Sequence, residues 1–556
     1  MDDTTVKISS TPLAKIALSC SGGGYRAASF HLGTMSYLNH LQYQGKPLLA
    51  NVKMLSTVSG GTITGIVYAL LSQQGKTFDE IYDFMLDRLK KLDLLKLAIE
   101  KLNPDAQWNN PHKRKNLINA FAELYDEHFT GRATFSELDE MQCHLEAVAF
   151  NSTEFDNAVD FRFRNRGTGF FGNYYLRVSN AQAGEIRLAD AMAASSCFPG
   201  GFEPILWPGD FIHQAAPNLQ AISDQPPVGI MDGGIYDNQG IDTILKYKHN
   251  AETPYFDCII VSDVSSPHMT PYQPPPEKPK KGFNAITLGQ FYRYGKNINR
   301  LINLLLPGFA VILGCLPFSW GYGNSTGTGI CITLAAALLV IWFIKLWLVK
   351  KALRLPVRLK EFILAKNPQM NFFMEKFAAL KIGDLSIHRA RPLLLDRLYS
   401  LLSLLSNVFL LVVRRLNYNM IYNDDHYRYR RIGNLIRRLT KTDYESHIPH
   451  DNYDTVVGPN IQAVAETAAN FGTTLWFTPK DELDDTLGKL VATGQFTMCF
   501  NMIEYLDGLI TDTDNGFTSL PADVQHDLWQ LYAQCKADWK VFMQNPLFLL
   551  KPAPTV

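Results

Sequence analysis

Residues 15–27 read KIALSCSGGGYRA: a short apolar run ends in three glycines, and small apolar residues follow with helical spacing. A second unit of the same kind occupies residues 52–71, VKMLSTVSGGTITGIVYALL. A short apolar run that ends in a glycine turn predicts a buried strand, and the segment after the turn predicts a helix. Two such units in succession predict an α/β domain with a central, mostly parallel sheet.

The remaining sequence predicts further elements of both kinds. We expect strands at residues 143–150, 158–163, 229–231, 258–264 and 473–477. We expect helices at residues 78–102, 113–128, 186–196, 461–471, 481–493 and 525–543.

The overall composition narrows the class of protein. Of the 556 residues, 53 are basic and 53 are acidic, so the formal net charge is zero and no nucleic-acid partner is indicated. The eight cysteines are scattered singly, without the spacing of zinc ligands or of a disulfide framework. We therefore predict no metal site and no cofactor. The first residues carry no basic and apolar leader, so a cleaved signal peptide is not expected.

Two uncharged apolar runs, Leu301–Trp320 and Gly327–Ile344, lie in the middle of the chain. Each is close to the roughly 20 residues needed to cross a hydrocarbon layer of ~30 Å. A pair of buried core helices is the alternative. Basic residues flank the pair on both sides, namely Lys278, Lys280, Lys281, Arg293, Lys296 and Arg300 before it and Lys345, Lys350, Lys351, Arg354 and Arg358 after it. By the positive-inside tendency, we expect an inserted transmembrane helical hairpin with both flanks in the cytoplasm.

A third apolar stretch, Leu398–Val413, is shorter and allows three interpretations: an interfacial helix, a buried helix or a short span. A cluster of arginines with interleaved tyrosines follows it. The cluster is either a solvated helix face or a patch for anionic lipid head groups. Its members are Arg428, Arg430, Arg431, Arg437 and Arg438.

Ser59 stands where the predicted strand at 52–58 gives way to a helix. A serine on such a turn exposes its hydroxyl at the N-terminus of the helix, as in a nucleophile elbow. The backbone N–H of Gly60 could then bind an oxyanion, and the helix dipole would favour the negative charge. An elbow of the form G-x-S-x-G has glycine at position 57, where this chain has Thr57. The alternative is that Ser59 is only a helix N-cap.

The three glycines at 22–24 can aim consecutive backbone N–H groups into one concavity. Arg26 adds a fixed positive charge that can hold an oxyanion or a phosphate with two hydrogen bonds. The alternatives are a plain strand-to-helix turn and a dinucleotide site. A dinucleotide site needs an acidic residue about 20 positions further on, and the sequence has none near that position.

Asp232 precedes two glycines in the run Met-Asp-Gly-Gly. Gly233 and Gly234 leave space for a serine to approach the carboxylate, although Asp-Gly-Gly also forms Asx-turns readily. A Ser-Asp-His triad is a further alternative, since His249 and His268 follow Asp232 in the order of a hydrolase triad. Both histidines lie in polar stretches that are typical of the surface.

The three motifs, Gly-Gly-Gly-x-Arg, then x-x-Ser-Gly-Gly and then Asp-Gly-Gly, resemble in order and spacing those of the patatin-like phospholipases. The forms S-G-G-G-Y-R-A and V-S-G-G are most similar to the cytosolic phospholipase A branch. Residues 193–204, AASSCFPGGFEP, look like the Ser/Pro-rich segment of the family. The resemblance covers residues 14–265 and, in part, 452–508.

The resemblance implies a three-layer α/β/α patatin-like domain and a catalytic dyad without histidine. Ser59 would be the nucleophile, and Asp232 would take its proton. The residues implied to bind the oxyanion or the substrate are Gly22, Gly23, Gly24, Arg26 and Gly60.

The predicted organisation has five parts: a catalytic domain at residues 1–270, a basic Pro/Lys linker at 271–300, the transmembrane hairpin at 301–350, basic membrane-proximal helices at 351–450, and a C-terminal helical part at 451–556 that completes the catalytic domain. The predicted activity is hydrolysis of carboxylic ester bonds in lipids or phospholipids by a membrane-anchored enzyme whose catalytic domain faces the cytoplasm. The alternative is a catalytically inactive membrane protein that keeps the fold as a lipid-binding or scaffold module.

Overall fold

The computed structural model describes residues 7–165, 171–247, 254–265, 281–319, 325–366, 382–404, 408–446, 457–512 and 515–550. The chain divides into two compact units. The first comprises Met1–Thr270 together with Leu404–Val556, and the second comprises Pro271–Ser403.

The first unit contains every named strand of the described residues. The strands are β1 (Ile16–Cys20), β2 (Gln42–Tyr43), β3 (Lys46–Pro47), β4 (Val52–Val58), β5 (Ala147–Glu154), β6 (Val159–Arg164), β7 (Ile205–Trp207), β8 (Val228–Asp232), β9 (Cys258–Asp263) and β10 (Arg431–Leu435). β2 and β3 form a separate hairpin. The other eight form one sheet in the order β10-β9-β1-β4-β5-β8-β7, with β6 also paired to β5.

Helices flank this sheet in the first unit and make up most of the described part of the second. They are α1 (Gly24–His40), α2 (Gly60–Gln73), α3 (Phe78–Lys91), α4 (Leu94–Lys101), α5 (Leu117–Tyr125), α6 (Asn180–Glu185), α7 (Leu188–Ser195), α8 (Pro217–Gln220), α9 (Gly234–Asp237), α10 (Ile241–Leu245), α11 (Leu288–Ser319), α12 (Ser325–Lys366), α13 (Ile387–Ser403), α14 (Phe409–Tyr422), α15 (Lys441–Ser446), α16 (Pro459–Asn470), α17 (Pro479–Leu483), α18 (Thr486–Thr511) and α19 (Ala522–Gln544). α11, α12 and α13 belong to the second unit.

The central strands of the sheet are apolar and buried along their whole length, as expected for parallel strands covered on both faces. β1 pairs in parallel with β4 on one side and with β9 on the other. The carboxyl ends of the three strands therefore lie at the same edge of the sheet. The predicted α/β class with a mostly parallel sheet is confirmed, and both glycine turns leave the sheet at this edge.

Three strands pair with β5, and their register positions the candidate site. β4 runs parallel to the first part of β5 and ends with Val58 opposite Asn151. β8 runs antiparallel to the last part of β5, with Asp232 opposite Ser152. β6 pairs with residues from both parts and so occupies the other edge of β5. β4 and β8 therefore meet end to end on one edge, opposite consecutive residues of β5.

The C-terminal part of the chain joins the same sheet. β10 pairs in parallel with β9 as an edge strand, and Gln495 of α18 donates a hydrogen bond of 3.0 Å to Ser36 of α1. The prediction of membrane-proximal helices is therefore wrong for residues 431–435. Only alternate residues of β10 are buried, so the strand lacks the continuous apolar run that marks β1 and β9.

Other boundaries also differ from the sequence predictions. The helix predicted at 78–102 is two helices. α3 ends at Lys91, and Asp93 then caps α4 by accepting the N–H of Lys96 at 2.9 Å. The strand predicted at 473–477 is wrong: these residues are irregular, and the carbonyl of Thr474 accepts the N–H of Tyr25 at 2.8 Å.

The second unit is dominated by α11 and α12, which pack against each other. Residues 288–319 and 326–351 of these helices are long and apolar enough to cross a membrane. Lys345 of α12 donates to the side chain of Asn303 at 2.5 Å and to the carbonyl of Asn299 at 3.2 Å. α11 begins at Leu288, so residues 288–300 are helical rather than the predicted linker.

The third apolar stretch, at 398–413, falls on the end of α13 and the beginning of α14. Its two described parts belong to different compact units. The loop predicted between the two long apolar helices lies mostly outside the described residues.

Candidate active site

Ser59 forms a sharp turn between β4, which ends at Val58, and α2, which begins at Gly60. Its backbone dihedrals are φ 51° and ψ −121°. A residue with a β-carbon rarely adopts a positive φ, and such strain costs about 1–3 kcal/mol. Strained residues of this kind cluster at functional sites, and a serine on a strained strand-to-helix turn has the geometry of a nucleophile elbow.

The elbow packs directly against the glycine triplet. A β-carbon at position 60 would lie 2.2 Å from the carbonyl oxygen of Gly24 and 2.4 Å from its amide nitrogen, so only glycine permits this contact. A β-carbon at position 22 would lie 3.0 Å from Cβ of Ser59. The two glycine turns recognised in the sequence thus lie against each other, beside the serine.

Asp232 lies at the end of β8, next to Ser59. Its Oδ1 accepts the N–H of Gly234 at 2.7 Å, and its backbone N–H donates to the carbonyl of Cys197 at 3.0 Å. The side chain of Ser59 lies close enough to the carboxylate to lower its pKa. The structure therefore brings together the serine and the aspartate that the sequence singled out.

The pKa of Asp232 is raised to about 6, mainly because burial disfavours the charged carboxylate. The nearby side chain of Ser59 and the hydrogen bond from the N–H of Gly234 stabilise the charged form and limit this rise in pKa. A carboxylate with a raised pKa is a stronger base than an exposed one, and it is still ionised at neutral pH. It is therefore better suited to take a proton from a hydroxyl.

Hydrogen bonds already made by the backbone decide which amides are free to bind an oxyanion. The N–H of Gly22 donates to the carbonyl of Asn238 at 3.0 Å, and the N–H of Ser59 donates to Oγ of Ser195 at 2.9 Å. Three other amides beside Ser59 have no hydrogen-bond partner among the described residues, and these are the amides of Gly23, Gly24 and Gly60.

Arg26 holds a neighbouring segment against the glycine triplet. Its Nη1 donates to the carbonyl of Phe471 at 2.8 Å, and its Nη2 donates to Thr473 at 3.3 Å. Its Nε is buried and has no hydrogen-bond partner within the described ranges, and a β-carbon on Gly23 would lie 3.8 Å from this atom. Burial is the main reason that the pKa of Arg26 is lowered to about 10. The guanidinium thus keeps one donor on the side of Gly23.

Four of the five arginines predicted to bind head groups line one cavity of about 670 Å³ between α14, β10 and α18, and they are Arg428, Arg431, Arg437 and Arg438. Carboxylates already neutralise part of this charge, since Arg438 lies 2.8 Å from Glu504. The fifth arginine, Arg430, lies 3.9 Å from Asp257. An anionic head group would have to compete with these internal ion pairs.

Asn151 and Ser195 belong to the site but were not singled out from the sequence. Oγ of Ser195 accepts the N–H of Ser59, and the side chain of Asn151 donates to the carbonyl of Thr57 at 3.0 Å. The only signal in the sequence was the Ser/Pro-rich segment at 193–204. Two adjacent serines in that segment gave no indication of which one faces the elbow.

His249 and His268, the triad alternatives, lie outside the described residues. His31 is buried below the glycine turn, where its ring contacts Oγ of Ser262 at 2.8 Å and the carbonyl of Ser21 at 2.9 Å. Burial lowers the pKa of His31 to about 4, so its ring is neutral at physiological pH. In the part of the chain that the structure describes, no three His, Cys, Asp or Glu side chains are arranged to hold a metal ion.

An α/β sheet that presents a strained serine elbow beside a buried carboxylate and unpartnered backbone amides is an architecture of acyl hydrolases as a class. Residues 18–245 match the family model described as patatin-like phospholipase, so this part of the chain is similar to that family. The match supports a lipid acyl hydrolase activity in general terms. The two long apolar helices suggest membrane association by their length and composition.

Solved structures similar to the chain include human GIVD cytosolic phospholipase A2, which is 12% identical, with 46% of each chain covered and a TM-score of 0.29. The same human enzyme in complex with methyl gamma-linolenyl fluorophosphonate inhibitor and terbium chloride is 15% identical, with 46% of this chain and 42% of that chain covered and a TM-score of 0.27. The chain thus spans less than half the length of these structures. No curated protein sequence matches it.

Proposed function

We propose that the protein is a membrane-anchored lipid acyl hydrolase that cleaves carboxylic ester bonds of lipids or phospholipids through a Ser59–Asp232 dyad. The observation that carries this proposal is the contact between a strained serine and a buried carboxylate, beside three backbone amides without a partner in the described structure. Each of the three parts has a defined role in acyl transfer.

In the proposed reaction, Asp232 takes the hydroxyl proton as Oγ of Ser59 bonds to the ester carbonyl carbon. The carbonyl electron pair moves to the oxygen, and the resulting oxyanion accepts hydrogen bonds from the free amides at positions 23, 24 and 60. When the tetrahedral intermediate collapses, the ester C–O bond breaks and the leaving alcohol takes the proton from Asp232. Water then attacks the acyl-serine by the same route, releases the fatty acid and restores the hydroxyl.

A carboxylate can act without an imidazole here because the site is buried. Asp232 is only 5% exposed, so its interaction with the serine hydroxyl is strengthened by the low local dielectric. The raised pKa also brings the carboxylate closer to the operating pH, which favours general-base catalysis.

Arg26 is proposed to assist the same site. Its two terminal nitrogens hold the segment at 471–473, which leaves Nε as the donor on the side of Gly23. A lipid phosphate or the developing oxyanion is the group that we propose for this donor.

The second unit is proposed to anchor the enzyme as a helical hairpin with the catalytic domain on the cytoplasmic side. Anchoring would raise the effective concentration of a lipid substrate at Ser59. Anionic head groups are proposed as ligands of the arginine-lined cavity, where they would displace carboxylates from ion pairs such as Arg438–Glu504.

The test combines a covalent probe with two variants of the full chain. A fluorophosphonate probe should label wild type at Ser59 only, and Ser59→Ala should abolish labelling. Ser59→Ala and Asp232→Asn should each lose hydrolysis of a short-chain nitrophenyl ester by at least about 10³-fold, while their melting temperatures stay near wild type. Wild-type turnover in either variant would exclude the dyad, and an unlabelled wild type would favour the inactive scaffold.

A comparison of lipids then identifies the substrate class. Membranes incubated with wild type should gain free fatty acid and lose one lipid class, relative to membranes incubated with Ser59→Ala. Unchanged lipids, despite labelling of Ser59, would show that the acyl group comes from another kind of ester.

A further inference from the structure

The hydroxyl of Ser195, at the end of α7, lies directly behind the elbow and is completely buried. It accepts the backbone N–H of Ser59 at 2.9 Å and lies 2.6 Å from the carbonyl oxygen of Asn151, to which it donates. It also lies 2.9 Å from Oγ1 of Thr62, which in turn lies 2.9 Å from Oγ1 of Thr57.

The direction of each hydrogen bond in this series, from Thr57 through Thr62 and Ser195 to Asn151, follows from the available donors. Ser195 has one hydroxyl hydrogen, and the carbonyl of Asn151 can only accept, so that hydrogen goes to Asn151. Thr62 must therefore donate to Ser195, and Thr57 must donate to Thr62. The two lone pairs of Ser195 Oγ are then filled by Thr62 and by the N–H of Ser59, so the hydroxyl cannot rotate without breaking a bond.

The same segment also holds the aspartate. The carbonyl of Cys197, two residues after Ser195, accepts the backbone N–H of Asp232 at 3.0 Å. The ends of β4 and β8 are thus both bonded to residues 195–197, in addition to their pairing with β5. A short buried segment therefore sets the separation of the two proposed dyad residues.

Thr57 fits this arrangement although a G-x-S-x-G elbow has glycine there. A β-carbon on Gly65 of α2 would lie 2.5 Å from Cγ2 of Thr57, so the absent side chain at 65 makes room for the threonine. The hydroxyl of Thr57 is then the first donor in the series of hydrogen bonds that ends at the carbonyl of Asn151.

We propose that Ser195 is a positioning residue that holds Ser59 in its strained conformation, and that Thr62 and Thr57 orient its hydroxyl. This inference rests on the proposed function, because it concerns the nucleophile of that reaction. This positioning has one consequence for the chemistry. Because the backbone amide of Ser59 donates to the side chain of Ser195, other amides must bind the oxyanion.

The experiment uses the full-length protein in detergent micelles and compares four variants. Ser195→Ala removes the acceptor of the Ser59 amide, Thr62→Val removes the donor to Ser195, and Thr57→Val removes only the outermost donor. Ser196→Ala is the matched control, because Ser196 is also buried, but its hydroxyl donates to the carbonyl of Met192 and lies 3.4 Å from the hydroxyl of Tyr125, not against Ser59.

We expect kcat on a soluble short-chain ester to fall by about 10- to 100-fold in Ser195→Ala, because a small displacement of a nucleophile has an effect of this size. The fall should be smaller in Thr62→Val and at most about threefold in Thr57→Val and Ser196→Ala. KM should stay within about twofold throughout, and the rate of fluorophosphonate labelling should fall in parallel with kcat.

Equal labelling rates of wild type and Ser195→Ala, with wild type labelled at Ser59, would overturn the inference and leave the proposed function standing. An equally large fall in kcat in Ser196→Ala would overturn the inference as well, since any change in this segment would then have the same effect. If Ser195→Ala does not fold, the same measurements on Thr62→Val test the inference, and a labelling rate equal to that of wild type would overturn it. A wild type that is not labelled at Ser59 would overturn both.

Discussion

Ser59 and Asp232 meet because the strands that carry them end on consecutive residues of a third strand. β4 ends with Val58 opposite Asn151 of β5, and β8 ends with Asp232 itself opposite Ser152. β4 runs parallel to β5 and β8 runs antiparallel to it, so the two strands run toward each other along one edge of β5. Asp232 and Val58, the residue before Ser59, are thereby fixed by pairing with β5, and such fixed geometry is what acid–base and nucleophilic groups need.

The pH dependence of hydrolysis tests whether Asp232 is the base. Its pKa is raised to about 6 by burial, and it must be ionised to accept the serine proton. We expect kcat/KM on a soluble short-chain ester to reach a plateau about one pH unit above the pKa, to be half of that value at about pH 6, and to approach a tenfold fall per pH unit further below. An exposed aspartate would place this fall near pH 4.

The measurement is the rate at low substrate concentration from pH 4.5 to 8, restricted by circular dichroism to the range where the protein stays folded. Full activity at pH 4.5 would show that no group with a pKa near 6 has to be ionised. That result would exclude Asp232 as the base.

Gly60→Ala tests the contact between the elbow and the glycine triplet. The added β-carbon would lie 2.2 Å from the carbonyl oxygen of Gly24, so the two turns must separate. Overpacking of this kind costs about 1–3 kcal/mol. We expect a lower melting temperature and a loss of labelling at Ser59, measured by thermal unfolding and by fluorophosphonate reactivity.

Gly209→Ala is the control for that substitution, because a β-carbon at position 209 meets no atom within 4 Å. It should melt and react like wild type. If Gly60→Ala also behaved like wild type, the close packing of the elbow on Gly24 would be incorrect.

Arg26→Gln separates a role in phosphate binding from a structural role. If Nε serves a lipid phosphate, KM for a phospholipid should rise by about 10-fold or more, since a hydrogen bond to a charged group contributes about 1.5–3 kcal/mol. KM for a neutral short-chain ester should then stay unchanged. Equal losses on both substrates would instead indicate that Arg26 acts by holding the segment at 471–473.

Membrane anchoring is tested by extraction at alkaline pH. Wild type should stay in the membrane pellet after a carbonate wash, because α11 and α12 each supply enough apolar length to span. The variant Leu334→Arg with Ile341→Arg should appear in the supernatant, since a charge at the centre of a span costs about 2.5–3.5 kcal/mol on the insertion scale.

Leu334→Ala with Ile341→Ala is the matched control for that variant, because it changes the same exposed positions of α12 without adding charge. It should remain in the pellet. Extraction of wild type by carbonate would contradict the hairpin and leave the proposed chemistry at Ser59 unaffected.

Local sequence patterns predicted the elements that form from short-range information. An apolar run followed by glycines marks β1 and β4, because a buried parallel strand needs apolar residues on both faces and the turn needs residues without a β-carbon. Edge strand β10 escaped prediction because only its alternate residues are buried. Its conformation depends on pairing with β9, which lies far away in the sequence.

The sequence by itself determined the α/β class and the two glycine turns, because these depend on residue type and local spacing. Ser59 and Asp232 were implied as candidate nucleophile and base by the resemblance of the motifs to a known family. Only the tertiary structure decided that Ser59 and Asp232 lie side by side, that the amide of Gly22 is already engaged and that Oγ of Ser195 accepts the amide of Ser59. The physical reason is that strand register and hydrogen bonds join residues that are distant along the chain. No local pattern encodes which of two adjacent serines will face the turn.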